Sequence, residues 1–239
     1  MFKPDKAFVL AAGKGTRMQP YTKDKPKPMV EVGGKPLIDR TFDLLVADGI
    51  KHAVVNLHYF GNILEQHLAK RKDVTIAFSK EAVLLDTGGG VRKGARVLGD
   101  EPFYVLSGDG FWTDGPDKTA LQRMAEKWDE DKMDILLLLQ PVDRMILTKP
   151  VGDYDIDDDG RASRSHDKKG KYMFTSMRIM RPQAFRGTPE GPFSYLQMMD
   201  KAEEQGRLYA VIHDGAWEHI STPEDLDAVN AEIQKKGHG

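Results

Sequence analysis

Leu10-Ala11-Ala12-Gly13-Lys14-Gly15-Thr16-Arg17-Met18 follows directly on the apolar run Ala7-Phe8-Val9. A short apolar run entering a turn of small residues reads as a strand whose carboxyl end opens onto a loop. Ala11, Ala12, Gly13 and Gly15 let backbone N–H groups approach an anion closely. Lys14 and Arg17 add charge, and a guanidinium can grip a phosphate through two parallel donors. Lys23, Lys25 and Lys27 continue the basic run, interleaved with Pro26 and Pro28, which stiffen it. The competing interpretation is a solvated basic loop after an ordinary turn. Two common phosphate loops are excluded residue by residue. A P-loop needs Gly-Lys followed by Ser or Thr, yet Lys14, Lys35 and Lys171 are followed by Gly15, Pro36 and Tyr172. A dinucleotide fingerprint needs a third glycine opening the helix. Met18 stands there, which disfavours a nicotinamide or flavin enzyme.

Outward from this loop, β-like runs alternate with helical patterns. After Ala7 to Leu10 come residues 53–57, 74–78, 103–106 and 135–139, each nearly continuous in apolar residues, as suits strands buried on both faces. Between them, Leu37, Ile38, Phe42, Leu44 and Leu45 form one apolar helical stripe. Ile63, Leu64 and Leu68 form a second, and Leu121, Met124 and Trp128 a third. The alternation predicts an α/β fold, a mostly parallel sheet with helices on both sides. Beyond residue 140, Asp157-Asp158-Asp159-Gly160 between β-like flanks predicts a hairpin. A helix is expected over 193–204 and a strand over 208–213. A last helix is expected to start with Ser221 or Thr222 as N-cap and Pro223 in its first position. The expectation is one domain over 1–239, with a first part at 1–115 and a C-terminal part at 116–239.

The composition narrows the class. Of the 239 residues, 40% are hydrophobic and 30% charged, with a net charge of -2, so neither a nucleic acid nor a membrane is an expected partner. There is no cysteine, which excludes disulfides and thiolate metal sites and suits a reducing, cytoplasmic setting. The first residues carry too short an apolar run for a signal peptide, and no stretch could span a bilayer.

LAAGKGTRM followed by KPKPMV resembles the signature of the sugar-1-phosphate nucleotidyltransferases, which join a sugar 1-phosphate to a nucleoside triphosphate. Leu85-Asp86-Thr87-Gly88-Gly89-Gly90 is similar to that family's nucleobase loop, and Ser107-Gly108-Asp109 to its metal motif. Within the family, the L-D-T-G-G-G loop, Phe111-Trp112-Thr113-Asp114 and Gly152-Asp153-Tyr154 resemble the N-acetylmuramate 1-phosphate uridylyltransferases of cell-wall recycling. Near relatives of that subgroup are often labelled mannose-1-phosphate guanylyltransferases, so that activity, or another nucleoside-diphosphate-sugar pyrophosphorylase, is the alternative the resemblance implies. The resemblance implies a Rossmann-like three-layer fold with a mixed, mostly parallel central sheet and a small hairpin elaboration. It also implies UTP and a sugar 1-phosphate as partners.

The same resemblance assigns roles. Leu10, Ala11, Ala12, Gly13, Gly15, Thr16, Arg17, Lys27, Gly88 and Gly89 would bind the nucleotide, with Arg17 and Lys27 as the catalytic cations. Asp153 and Thr175 would touch the sugar, although Thr175-Ser176 stands where the family often has glycine. Asp109 would hold Mg²⁺, a cation that takes oxygen ligands and bridges phosphates. The second metal ligand of the family is an Asp in W-x-D; here Trp217-Glu218-His219 puts His219 in that place. Imidazole prefers softer metals, so Mn²⁺ is a second candidate. Two other classes compete: a non-catalytic nucleotide-sugar sensor, and a phosphocholine cytidylyltransferase, whose choline cage of aromatics the sequence does not display. The EF-hand-like run from Asp155 to Gly160 lacks the closing Glu, with His166 in its place.

Overall fold

The computed structural model describes residues 3–236. In chain order these are β1 Lys6–Leu10, β2 Glu31–Val32, β3 Lys35–Pro36, α1 Leu37–Ala47, β4 His52–Leu57, α2 Gly61–Leu68, β5 Thr75–Lys80 and α3 Asp86–Ala95. The chain continues with β6 Phe103–Ser107, β7 Phe111–Thr113, α4 Ala120–Lys127, β8 Ile135–Pro141, β9 Tyr154–Ile156 and β10 Ala162–Arg164. It ends with β11 Tyr172–Met180, α5 Leu196–Glu204, β12 Leu208–Ile212, β13 Ala216–Glu218 and α6 Pro223–Lys236.

Nine strands form one mixed sheet. β5, β4, β1 and β6 lie side by side and parallel, so their carboxyl ends share one edge. β11 then runs antiparallel to both β6 and β8, and β12 returns parallel to β8. Side chains alternate across each strand. Ala7, Val9, Tyr104, Leu106, Leu136 and Leu138 pack toward α1, α2 and α4, while Phe8, Val54, Phe103, Val105 and Leu137 face α3 and α5. Both faces are covered, which is why the strands read as unbroken apolar runs. The expected three-layer α/β architecture is what the chain forms.

A third apolar cluster pins the loop after β1. Met18 is fully buried with Val30, Val32 and Leu37 beneath Ile220, Leu226 and Val229 of the C-terminal segment. The bulky residue that ruled out a dinucleotide fingerprint therefore anchors the loop to α6. That helix starts as its sequence requires. Thr222 Oγ1 accepts from the Asp225 amide at 3.3 Å, while Asp225 Oδ2 accepts from the Thr222 amide at 2.9 Å, a reciprocal cap. The hairpin at 157–160 also forms, with Asp157 Oδ1 accepting the amides of Asp159 and Arg161. Boundaries shift by a residue or two at several strands, and by three at α5. α5 starts at Leu196 rather than 193, because the Phe193 carbonyl is used by the amides of Gly88 and Gly89.

Candidate active site

The carboxyl ends of β1, β4 and β6 open onto a cleft of about 390 Å³. Ligands of open α/β sheets gather at this edge, outside the strand ends. Leu10, Ala11, Ala12, Gly13, Gly15, Thr16 and Arg17 line it from one side and Lys27 and Asp109 from another. Backbone geometry explains the loop. Gly15 has φ +60, and a Cβ there would stand 3.0 Å from Lys27 Cβ and 3.1 Å from Thr22 Cγ2. Glycine thus meets two demands at once, a left-handed turn and the close approach of Lys27. Thr22 Oγ1 closes the turn by donating to the Gly15 carbonyl at 2.8 Å. The N–H groups of Gly13, Lys14 and Gly15 take no acceptor among the described residues, and Arg17 is exposed without an ion pair among them. Free amides beside a free guanidinium form an anion site.

Behind the loop runs a buried polar relay. The Ala11 amide donates to Asn56 Oδ1 at 2.7 Å, Asn56 Nδ2 donates to Glu81 Oε1 at 2.7 Å, and Glu81 Oε2 accepts the Leu85 amide at 2.8 Å. The relay ties the loop after β1 to the loop after β5. Asn56 also lines the cleft. It is the one polar residue in Ala53-Val54-Val55-Asn56-Leu57, and its place at a strand's carboxyl end was the signal that could have identified it. Glu81 had no such signal.

Lys27 Nζ lies 2.6 Å from Asp109 Oδ2, and Ser107 Oγ donates to Asp109 Oδ1. Burial pushes the Asp109 carboxyl up, but the Lys27 ammonium and the Ser107 hydroxyl outweigh it, so the group lies below the usual carboxylate range. His219 reaches this pair through a strand register. β13 runs antiparallel to β7 with Glu218 opposite Phe111, so the next residue, His219, falls beside Gly110 and Asp109. Burial lowers the His219 pKa and the Lys27 charge lowers it further, against the pull of Asp109. The imidazole is therefore neutral at pH 7 and has a lone pair to offer. Its neighbour Glu218 turns away, accepting from Thr148 Oγ1 at 2.7 Å and from the Thr148 amide at 3.2 Å. Among the described residues no three His, Cys, Asp or Glu side chains cluster as a metal cage. One carboxylate and one neutral imidazole are the donors present.

His219 is not itself among the residues lining the cleft, and four other expected residues lie elsewhere. Gly88 and Gly89 do not line the cleft; their amides donate to the Phe193 carbonyl at 2.8 and 3.1 Å. The glycines are there for close packing. A Cβ on Gly88 would sit 2.4 Å from Phe193 Cε2, on Gly89 2.3 Å from the Gly191 carbonyl oxygen, and on Gly90 2.7 Å from Glu81 Oε1. Gly89→Ala must displace backbone, and a loss of about 1–3 kcal/mol is expected, read as a lower urea midpoint; an unchanged midpoint would contradict this packing role. Leu84, Asp86 and Thr87 face the cleft instead. Asp153 is engaged by Lys168 Nζ at 2.8 Å and by the Phe174 amide at 3.2 Å. Thr175 is buried, donating to the Leu138 carbonyl at 2.8 Å. A register shift in β11 between Phe174 and Arg178, with φ +66 at Ser176, turns Ser176 rather than Thr175 to the cleft. Tyr195 and Ser221 also line the cleft; the sequence offered Ser221 only as a helix cap and gave no signal for Tyr195.

The strand edge thus sets free backbone amides and a guanidinium beside a carboxylate and its neighbouring imidazole, an arrangement suited to holding an anion. Residues 6–236 match the nucleotidyl transferase family, and the chain belongs to it. It is 35% identical to N-acetylmuramate alpha-1-phosphate uridylyltransferase of Caulobacter vibrioides, over 96% of this chain and 97% of that one. The protein of the same description from Neisseria meningitidis is 31% identical over 91% and 93%. The fold matches a putative glucose-1-phosphate thymidylyltransferase from Bacillus anthracis with a TM-score of 0.80, at 19% identity over 96% of this chain and 95% of that one. No helix among the described residues is long and apolar enough to cross a membrane.

Proposed function

We propose that the chain joins N-acetylmuramic acid 1-phosphate to UTP, releasing UDP-N-acetylmuramic acid and pyrophosphate, in the cytoplasm and in the service of cell-wall recycling. The observation that carries this reading is the meeting of the Gly13–Arg17 loop, Lys27 and Asp109 in one cleft. The two uridylyltransferase relatives, matched over nearly their whole lengths, support the choice of base and sugar.

The free amides and Arg17 hold the β- and γ-phosphates, and Lys27 leaves Asp109 to steady the α-phosphate. Leu84, Asp86 and Thr87 bound the end that receives the base, and Gly88 and Gly89 hold that loop against Phe193. The sugar 1-phosphate is already an anion, so its oxygen attacks the α-phosphorus in line without a general base. The bond from the α-phosphorus to the bridging oxygen breaks, and pyrophosphate leaves with the electron pair. No side chain is modified and no proton changes hands. The rate comes from positioning and charge neutralisation.

A divalent cation fits the donors present. Mg²⁺ sites commonly use one or two carboxylates and complete their shell with substrate phosphates and water, and Asp109 is held ionised for that use. Bound there, Mg²⁺ or Mn²⁺ would neutralise phosphate charge. With His219 as the other donor, wild type is expected to favour Mn²⁺ over Mg²⁺ by at least about threefold relative to His219→Asp, since imidazole suits the softer ion. Identical metal preferences in the two proteins would exclude His219 as a ligand.

The function itself is tested by pyrophosphate release over a panel of UTP, GTP, CTP and dTTP against the 1-phosphates of N-acetylmuramic acid, N-acetylglucosamine, glucose and mannose. UTP with N-acetylmuramic acid 1-phosphate is the expected pair. UTP binding without pyrophosphate release would support a sensor instead.

A further inference from the structure

Among the described residues Arg178 is the largest side chain buried to completion, and no carboxylate among them pairs with it. Its Nε and Nη2 have no hydrogen-bond partner, and Nη1 has only the Ser176 carbonyl at 3.5 Å. Aromatic faces surround the cation instead. Its Cζ is 4.8 Å from the centre of the Tyr195 ring and 6.0 Å from that of Phe174. Nearby, the Tyr154 hydroxyl is also buried without a partner. Burial lowers the Arg178 pKa, but only to about 10, so the guanidinium is charged at neutral pH.

A buried cation without a counter-ion is costly, and π faces compensate it only in part. Donors are collected here and the acceptor is missing. The place is next to the cleft, since Ser176 and Tyr195 both line it. The Tyr195 ring thus borders both the cleft and the guanidinium.

We propose that Arg178 determines specificity for an acidic sugar, receiving the carboxylate of the sugar 1-phosphate once the Tyr195 ring turns aside. This rests on the function proposed above. N-acetylmuramic acid carries an ether-linked carboxylic acid that N-acetylglucosamine lacks, and the two are otherwise alike. A planar, two-pronged donor suits a carboxylate. A site built around such a bond discriminates strongly against the analogue that lacks the group.

The experiment measures kcat/KM for the 1-phosphates of N-acetylmuramic acid and N-acetylglucosamine with UTP, in wild type, Arg178→Gln and Arg178→Lys. The quantity read is the ratio of the two values, in which any loss of folded enzyme cancels. Wild type is expected to favour the acid by at least about 100-fold, Arg178→Lys to retain part of that preference, and Arg178→Gln to bring the ratio within about fivefold of unity. A ratio that Arg178→Gln leaves unchanged overturns this inference alone, including the case in which both substrates lose equally because the guanidinium serves the shared phosphate. A wild type that prefers the neutral sugar overturns it as well. A wild type that turns over neither substrate overturns the proposed function and this inference with it.

Discussion

Asp109→Ala is expected to lower kcat for pyrophosphate release by at least about 10³-fold, as suits the loss of the carboxylate that would hold a charge-neutralising divalent cation during phosphoryl transfer. Besides Asp86, Asp109 is the only carboxylate lining the cleft, and it alone is bonded to both Ser107 and Lys27. The loss should fall on kcat. Removing the carboxylate frees Lys27 from its 2.6 Å ion pair, leaving the ammonium available to phosphate, so KM for UTP is expected to stay level or fall. Steady-state kinetics separate the two constants. If Asp109 did no more than neutralise Lys27, kcat would survive within about threefold, well short of the effect of a catalytic group.

Lys27→Ala is expected to cost about 10²–10³-fold in kcat/KM, the usual effect of losing one preorganised donor at a reacting centre. Lys27→Arg should rescue little, because Lys27 Nζ meets Asp109 Oδ2 at 2.6 Å as a compact point charge, which a planar and bulkier guanidinium does not reproduce. The same substitution has a pH signature. In wild type the Asp109 pKa is depressed, so its stabilisation is present above the unfolded carboxylate pKa and is lost as pH falls through the lower, folded one. Without Lys27, burial acts on Asp109 with much less opposition and favours the protonated form. The stability gap between wild type and Lys27→Ala should therefore narrow as the solution is acidified through the carboxylate range. Urea unfolding at a series of pH values measures it, and a constant gap would contradict the pairing.

The parts of the fold that were legible are those fixed by local or periodic signals. Residues 53–57, 103–106 and 135–139 read as strands because each is buried on both faces, and Thr222-Pro223 announced α6 because its cap is local. The loop after β1 was legible for the same reason, since Gly15, Arg17 and Lys27 lie within one short stretch. What could not be read depends on which strands lie side by side. Asn56 meets the Ala11 amide because β4 pairs with β1, and Glu81 meets Asn56 because β5 follows next. The resemblance to the family had put His219 beside Asp109, but its means of getting there, the pairing of β13 with β7 about a hundred residues apart, was not readable. Ser176 replaces Thr175 at the cleft through a one-strand irregularity that composition does not encode. Gly88 and Gly89 resembled a ligand-reading loop, yet their constraint is the nearness of Phe193 and Gly191, visible only once the chain is folded.

In the proposed reaction the cleft aligns two phosphates for one direct displacement, with no nucleotidyl group ever carried by the protein. The most direct measurement is the stereochemical course of transfer from UTP bearing a single sulfur of defined configuration on its α-phosphorus, read by phosphorus NMR of the UDP-sugar product. Inversion is the result that a single in-line displacement predicts. Retention would require two displacements through a nucleotidylated side chain and would contradict the account.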